Sequence, residues 1–297
     1  MEELSKVNLV SIVNKVATEQ DVMVIGAYLV GSRHWGVNRP ESDYDIVAVY
    51  IEHPAYSLLQ NRRMNNRIST IWSDDCEIKF ISLTEFMRQI KRCSFAAAEP
   101  LFCGTELIGT YTGLFQETFE EMLDERELAA SLVGAVIKDL KGYQTKNFNC
   151  KALSITFKWL AIAYAVSRKV NGFRDSNSFK DLFDLQTIWL DPTLPEFMVK
   201  FYNDYILTGR YYDEADPEAR GLAGEALLWL KENEIDKFPS NRNRWDPEVW
   251  ETVDNEIDRK TIKIHADFFE SEKQLPCSKT FEQVIQKLQQ QSFGTKA

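Results

Sequence analysis

The sequence predicts an α+β protein, and three observations carry that reading. Roughly the first 110 residues alternate helical periodicity with apolar runs rich in β-branched residues. Strand signals fade beyond that point, and the remainder carries long stretches of helical spacing. The chain therefore divides into a sheet-bearing domain over residues 1–110 and a mainly helical domain over residues 111–297.

The elements follow in order. Leu4, Val7, Leu9, Val10, Ile12, Val13 and Val16 lie close to helical spacing and predict an amphipathic helix over residues 4–19. VMVIGAYLVG, ending at Gly31, reads as a buried strand. A second strand runs from Asp43 to Ile51, and a third, from Cys76 to Ser82, shows clear alternation. The polar, basic stretch between them reads as a loop leading into Ile71 and Trp72. A helix follows to about Arg92, with Ser82 or Thr84 as its cap. Later helices are expected over FQETFEEMLDERELAASLVGAVIKDLKGYQTKNF, broken at Gly142, over CKALSITFKWLAIAYAVSRKV, and over three further segments from Leu194 onward.

With 297 residues and 44% hydrophobic content, the chain can fill a sizeable core. Its N-terminus is acidic and interspersed with polar residues, unlike a signal peptide, and no apolar run approaches the roughly 20 residues of a membrane span. A cytoplasmic protein is the expectation. The five cysteines are scattered, without a CxxC pair, which argues for reduced thiols near the core over a disulfide framework or zinc site. A net charge of -10 argues against bulk electrostatic coating of nucleic acid. The charge is uneven, with nine basic against three acidic residues over 136–182, so a local basic surface remains available to an anionic substrate.

The chemistry concentrates in GSRHWGVNRPESDYD, residues 31–45. Gly31-Ser32 ends an apolar strand, where the missing Cβ lets backbone N–H groups and the Ser hydroxyl approach a phosphate. Asp43 and Asp45, spaced i, i+2 at the mouth of the next strand, project from one face. Two adjacent carboxylates repel unless a cation lies between them, and carboxylate, phosphate and water oxygens are what magnesium prefers. The pattern points to a metal-bridged nucleoside triphosphate. Either half alone is also what an ordinary strand-to-loop turn or a solvated loop edge looks like.

This arrangement resembles the signature of the DNA polymerase beta-like nucleotidyltransferase superfamily. Its fuller form, with Gly-Ser-Arg, a Gly four residues past the Ser, and Ser42-Asp43-Tyr44-Asp45, resembles the predicted nucleotidyltransferase family associated with RNA-repair pathways. The likeness continues through Glu77, which stands where that family more often has Asp, and through Leu83-Thr84-Glu85-Phe86. It implies a polymerase beta-like catalytic domain with a mixed sheet and flanking helices, followed by a helical substrate-binding domain. It implies that Asp43, Asp45 and Glu77 are catalytic and hold two magnesium ions, with manganese able to substitute. Asp74 and Asp75 are rivals to Glu77 for the third position. Gly31, Ser32, Arg33, Gly36, Ser42 and Lys79 would bind the nucleotide, with Arg33, Arg39 and Lys79 offering charge to the leaving pyrophosphate. Lys141, Lys146, Lys151 and Lys158 recur along one segment that either lines the cleft or forms a solvated helix face. The reaction so implied moves a nucleoside monophosphate to a hydroxyl acceptor, an RNA end before a protein side chain or small molecule. The competing readings are a catalytically silent nucleotide-binding or regulatory module and a helical docking partner.

Overall fold

Ser5 opens the first helix by accepting a hydrogen bond from the Asn8 N–H at 3.3 Å, and helix α1 runs Lys6–Glu19, burying Leu9, Val13, Val16 and Ala17. In the computed structural model, which describes residues 4–34, 38, 42–52, 69–145, 150–170, 194–208, 216–233 and 247–272, α1 is followed by strand β1, Val22–Val30. A short helical turn, Gly31–His34, leaves its end. Strand β2 spans Tyr44–Glu52, β3 Thr70–Ser73 and β4 Cys76–Ser82. The β3 to β4 connection is a two-residue turn in which Asp74 and Asp75 both take positive φ, 47° and 62°, the backbone of a tight hairpin. Ile71 and Trp72, into which the expected loop leads, thus lie in a strand, and the loop itself up to residue 68 lies outside the described residues. Asp-Asp fills the place that Asn-Gly usually marks, which conceals the hairpin.

A fifth strand, β5, Thr105–Ile108, was not expected from the sequence because its four residues include only two apolar ones. It pairs antiparallel with β1, completing a mixed sheet of order β3-β4-β2-β1-β5 in which only β2 and β4 are parallel.

The two faces of the sheet have different partners. Tyr44, Ile46, Ala48 and Tyr50 of β2, with Cys76, Ile78 and Phe80 of β4, pack on α1. The residues between them, Val47, Val49 and Ile51 with Ile81, are buried under the helices that follow. This second face is therefore apolar along most of β2 and acidic only at its start, where Asp45 stands. The core that covers it continues without interruption into the helical region, through residues such as Leu132, Leu160, Phe201 and Ile264.

Helix α2, Leu83–Lys91, begins at Ser82, whose Oγ accepts from the Glu85 N–H at 3.3 Å, so Ser82 and not Thr84 is the cap. Helices α3, Thr112–Glu121, and α4, Glu125–Thr145, are separated at Asp124, whose carboxylate accepts from the N–H groups of Arg126 and Glu127. The expected break at Gly142 does not occur. The helix continues through it, and the interruption lies upstream, where Asp124 caps a new helix. Helix α5, Cys150–Val170, packs along α4. Among the described residues three more helices follow: α6, Glu196–Phe201, continued by a π-helical turn to Ile206; α7, Pro217–Glu232; and α8, Pro247–Glu272, which reaches back to α2. Cys76, Cys93, Cys103 and Cys150 are buried free thiols, as expected, while Cys277 lies outside the described residues.

Helix α5 is fixed by an aromatic cluster: the Phe157 ring meets those of Phe197 and Phe201 edge-on at 5.8 and 4.7 Å. Truncating a fully buried ring there leaves a cavity. Phe157→Ala is expected to lower unfolding free energy by about 3–5 kcal/mol in chemical denaturation, and Phe157→Leu by clearly less.

Candidate active site

The register of the sheet assembles the acidic residues. Val30 of β1 pairs with Asp45 of β2, and Asp45 pairs in turn with Glu77 of β4. Residues directly opposite one another share a face, so Asp45 and Glu77 stand side by side. Asp43 lies two residues before Asp45 and joins them, and one carboxylate oxygen from each of the three falls within 4.8 Å of the others. The tight hairpin contributes by a backbone bond: the Tyr44 N–H, between the two aspartates, donates to the Asp75 carbonyl at 2.9 Å. Asp74 and Asp75 themselves stay on the turn, where Asp74 forms an exposed pair with Lys15 at 3.5 Å. Neither belongs to the cluster, so Glu77 is the third carboxylate of the group.

Gly31 is a steric requirement. Its φ is +69°, and a Cβ at this position would lie 1.9 Å from Asp45 Oδ2. The turn it makes brings the backbone of Ser32 to Asp45, and that hydrogen bond favours the ionised carboxylate. The larger effects run the other way. Burial first, then the charges of Asp43 and Glu77, push the Asp45 carboxyl up to about 6. Ser32 is buried, 3% exposed, and its Oγ has no hydrogen-bond partner among the described residues. A buried hydroxyl in that condition is costly unless a ligand satisfies it.

The structure gives Arg33 backbone partners. Its Nε donates to the carbonyls of Ser42 and Asp43 at 3.0 and 3.2 Å, its Nη2 to Ser42 at 2.5 Å, and the guanidinium lies 3.9 Å above the Tyr44 ring. It ties the start of β2 to the turn after β1 and so holds Asp43 in place. Lys79 is exposed on the face of Glu77, one pair further along β4 and toward the β3 edge, away from Ser32. Gly36 and Arg39, with Trp35, lie outside the described residues.

The helical region supplies two cations. Lys151, in the first turn of α5, donates to Ser42 Oγ at 2.8 Å and is close enough to Asp45 to favour its ionised form. Ser42 is 5% exposed and Lys151 half-buried, so the bond is partly shielded from water. Lys158 lies two turns along the same face of α5, and burial pushes its ammonium down to about 8. His34, bonded to Thr105 Oγ1 at 3.1 Å, is pushed down by burial and then by Lys158. Lys151 thus reaches the carboxylates and Lys158 lies near His34, while Lys146 lies outside the described residues. The seven-residue spacing of Lys151 and Lys158 is the signal available in the sequence, and Ser42 as the partner is visible only in three dimensions.

Three converging carboxylates, with one of them raised by its neighbours and an unsatisfied hydroxyl across a close backbone turn, fit a divalent cation and a phosphate. Together with the mixed sheet, this arrangement has the form of a polymerase beta-like nucleotidyltransferase. Residues 6–151 match the RNA repair pathway DNA polymerase beta family. That match supports nucleotidyl transfer in general, from a nucleoside triphosphate. No curated protein matches the chain. Among solved structures, it is similar to a nucleotidyltransferase-like protein from Exiguobacterium sibiricum 255-15, at 12% identity over 77% of this chain and 78% of that one, with a TM-score of 0.28. No described helix is long and apolar enough to cross a membrane.

The raised carboxyl has a sign that melting can read. Its neutral form favours the fold, so the stability it contributes is full below pH 3.8 and is lost as the pH rises through about 6. Asp45→Asn is therefore expected to melt above the wild type at pH 7.5 in EDTA. Magnesium is expected to raise the wild-type Tm and to leave that of Asp45→Asn unmoved. Gly31→Ala, which drives a methyl into the Asp45 carboxylate, is expected to abolish the magnesium-dependent rise as well.

Proposed function

We propose that the protein transfers a nucleoside monophosphate from a nucleoside triphosphate to a hydroxyl acceptor, an RNA end, with release of pyrophosphate. The observation that carries this reading is the meeting of Asp43, Asp45 and Glu77 beside a buried Ser32 hydroxyl that has no hydrogen-bond partner among the described residues. Asp43, Asp45 and Glu77 would hold the divalent ions, magnesium being the natural occupant of an all-oxygen site. Bound there, such ions polarise phosphate oxygens and acidify the acceptor hydroxyl.

The remaining work falls to the chain's own groups. The Ser32 hydroxyl and neighbouring N–H groups receive the terminal phosphates. Lys151, already within reach of Ser42 and Asp45, places a positive charge over the same end of the sheet. Arg33 keeps the Asp43 backbone fixed. The acceptor oxygen bonds to the α-phosphorus as the bond to the bridging pyrophosphate oxygen breaks, and pyrophosphate leaves with that electron pair. The acceptor proton passes to the Glu77 carboxylate and on to water. A merely nucleotide-binding module has no need of three crowded carboxylates, whose mutual repulsion works against the fold.

The test is incubation of the full chain with each labelled triphosphate, magnesium or manganese, and RNA, DNA, protein and small-molecule acceptors. Label is expected on RNA ends, falling at least about a hundredfold in Asp43→Ala, Asp45→Ala and Glu77→Ala. Lys151→Ala is expected to lower kcat/KM for the triphosphate by roughly ten- to a hundredfold, as loss of a charged hydrogen bond does. Triphosphate binding with no label on any acceptor and no pyrophosphate release would overturn transfer in favour of a binding module.

A further inference from the structure

Trp72, at 63%, is the most exposed aromatic side chain among the described residues. Such a residue on an edge strand is often only a surface side chain, but its register places it in the site. Trp72 of β3 pairs with Glu77, Glu77 with Asp45, and Asp45 with Val30, so one row on one face of the sheet crosses four strands. Ile71, its neighbour, packs on the opposite, α1-facing side. The indole thus stands at the end of the line of carboxylates, and with Asp43, Ser73, Asp74 and Asp75 it lines an open cleft.

The row also has a direction. Gly31-Ser32, the phosphate seat, continues β1, whereas Trp72 lies three strand spacings away, roughly 14 Å at 4.8 Å each. The carboxylates lie between them. In phosphoryl transfer the attacking and leaving oxygens lie roughly in line on opposite sides of the phosphorus. With the triphosphate tail at Ser32, pyrophosphate departs on the β1 side and the attacking hydroxyl enters from the side of Glu77 and Trp72.

We infer that Trp72 is the stacking platform for the acceptor: the terminal base of a single-stranded nucleic acid lies on its indole, which sets the terminal sugar hydroxyl beside Glu77 and Asp45. This rests on the nucleotidyl-transfer reading. The surroundings favour a base over a phosphate chain, because Asp74 and Asp75 flank the indole and repel phosphates, while a neutral, flat base meets no such penalty. A base stacked on protein is withdrawn from its own partner, which selects an unpaired end over a duplex terminus.

The experiment has two arms, both on the full chain with a short 3′-hydroxyl oligoribonucleotide. In steady-state transfer, Trp72→Ala is expected to raise the acceptor KM roughly tenfold with the triphosphate KM unmoved, and Trp72→Phe to recover most of the loss. Without triphosphate, the oligonucleotide is expected to quench part of the tryptophan fluorescence of the wild type, and that part is expected to be missing in Trp72→Phe. An unchanged acceptor KM in Trp72→Ala, or label appearing only on protein or small-molecule acceptors, overturns the platform while leaving transfer standing. Absence of transfer by the wild type on every acceptor sinks the transfer reading instead, and the fluorescence arm then decides the platform alone: quenching that survives in Trp72→Phe, or no quenching at all, refutes it.

Discussion

Repulsion among Asp43, Asp45 and Glu77 is the interaction around which the rest of this molecule is arranged. Backbone pairing imposes it, since the parallel ladder between β2 and β4 leaves Asp45 and Glu77 no choice but to stand together. The fold supplies only partial relief, through the Ser32 N–H and the Lys151 charge, and the Asp45 carboxyl remains pushed up to about 6. A structure that holds like charges at this distance is poised for a cation, because cation binding removes a cost already built into the fold.

The supports of that cluster come from distant parts of the chain. Gly31 allows β1 to turn against Asp45 without a clash, Arg33 fastens the carbonyls of Ser42 and Asp43, and the Asp75 carbonyl holds the Tyr44 N–H. Lys151 reaches Ser42 from a helix more than a hundred residues later. Its position depends on the aromatic packing of Phe157 and on a core shared by the sheet and the helices. Rigidity of this kind suits a site that must hold reacting groups to a fraction of an ångström.

Much of the site was legible because the signature is local. Gly31-Ser32 and Asp43-x-Asp45 lie within fifteen residues, and strand alternation alone puts the two aspartates on one face. Glu77 followed from the same periodicity combined with family likeness. The backbone partners of Arg33 were not legible, because sequence gives the charge of a guanidinium but not its orientation. Trp72 went unnoticed because its strand is four residues long and its hairpin turn is written Asp-Asp, whose left-handed backbone is common for Asn and Gly and scarcely advertised by two aspartates.

By itself, the sequence determined the alternation of strands and helices in roughly the first 110 residues, the helical remainder, and the residue types able to hold a metal and a phosphate. Those properties depend on side-chain periodicity and on chemistry within a few residues. Only the tertiary structure decided which charges meet: Glu77 over Asp74 and Asp75, Lys151 on Ser42, Arg33 turned to backbone carbonyls, and Trp72 at the end of the acidic row. Each of these is a matter of strand register or helix docking between segments far apart in the chain, and such pairings are set by the folded backbone rather than by the local order of residues.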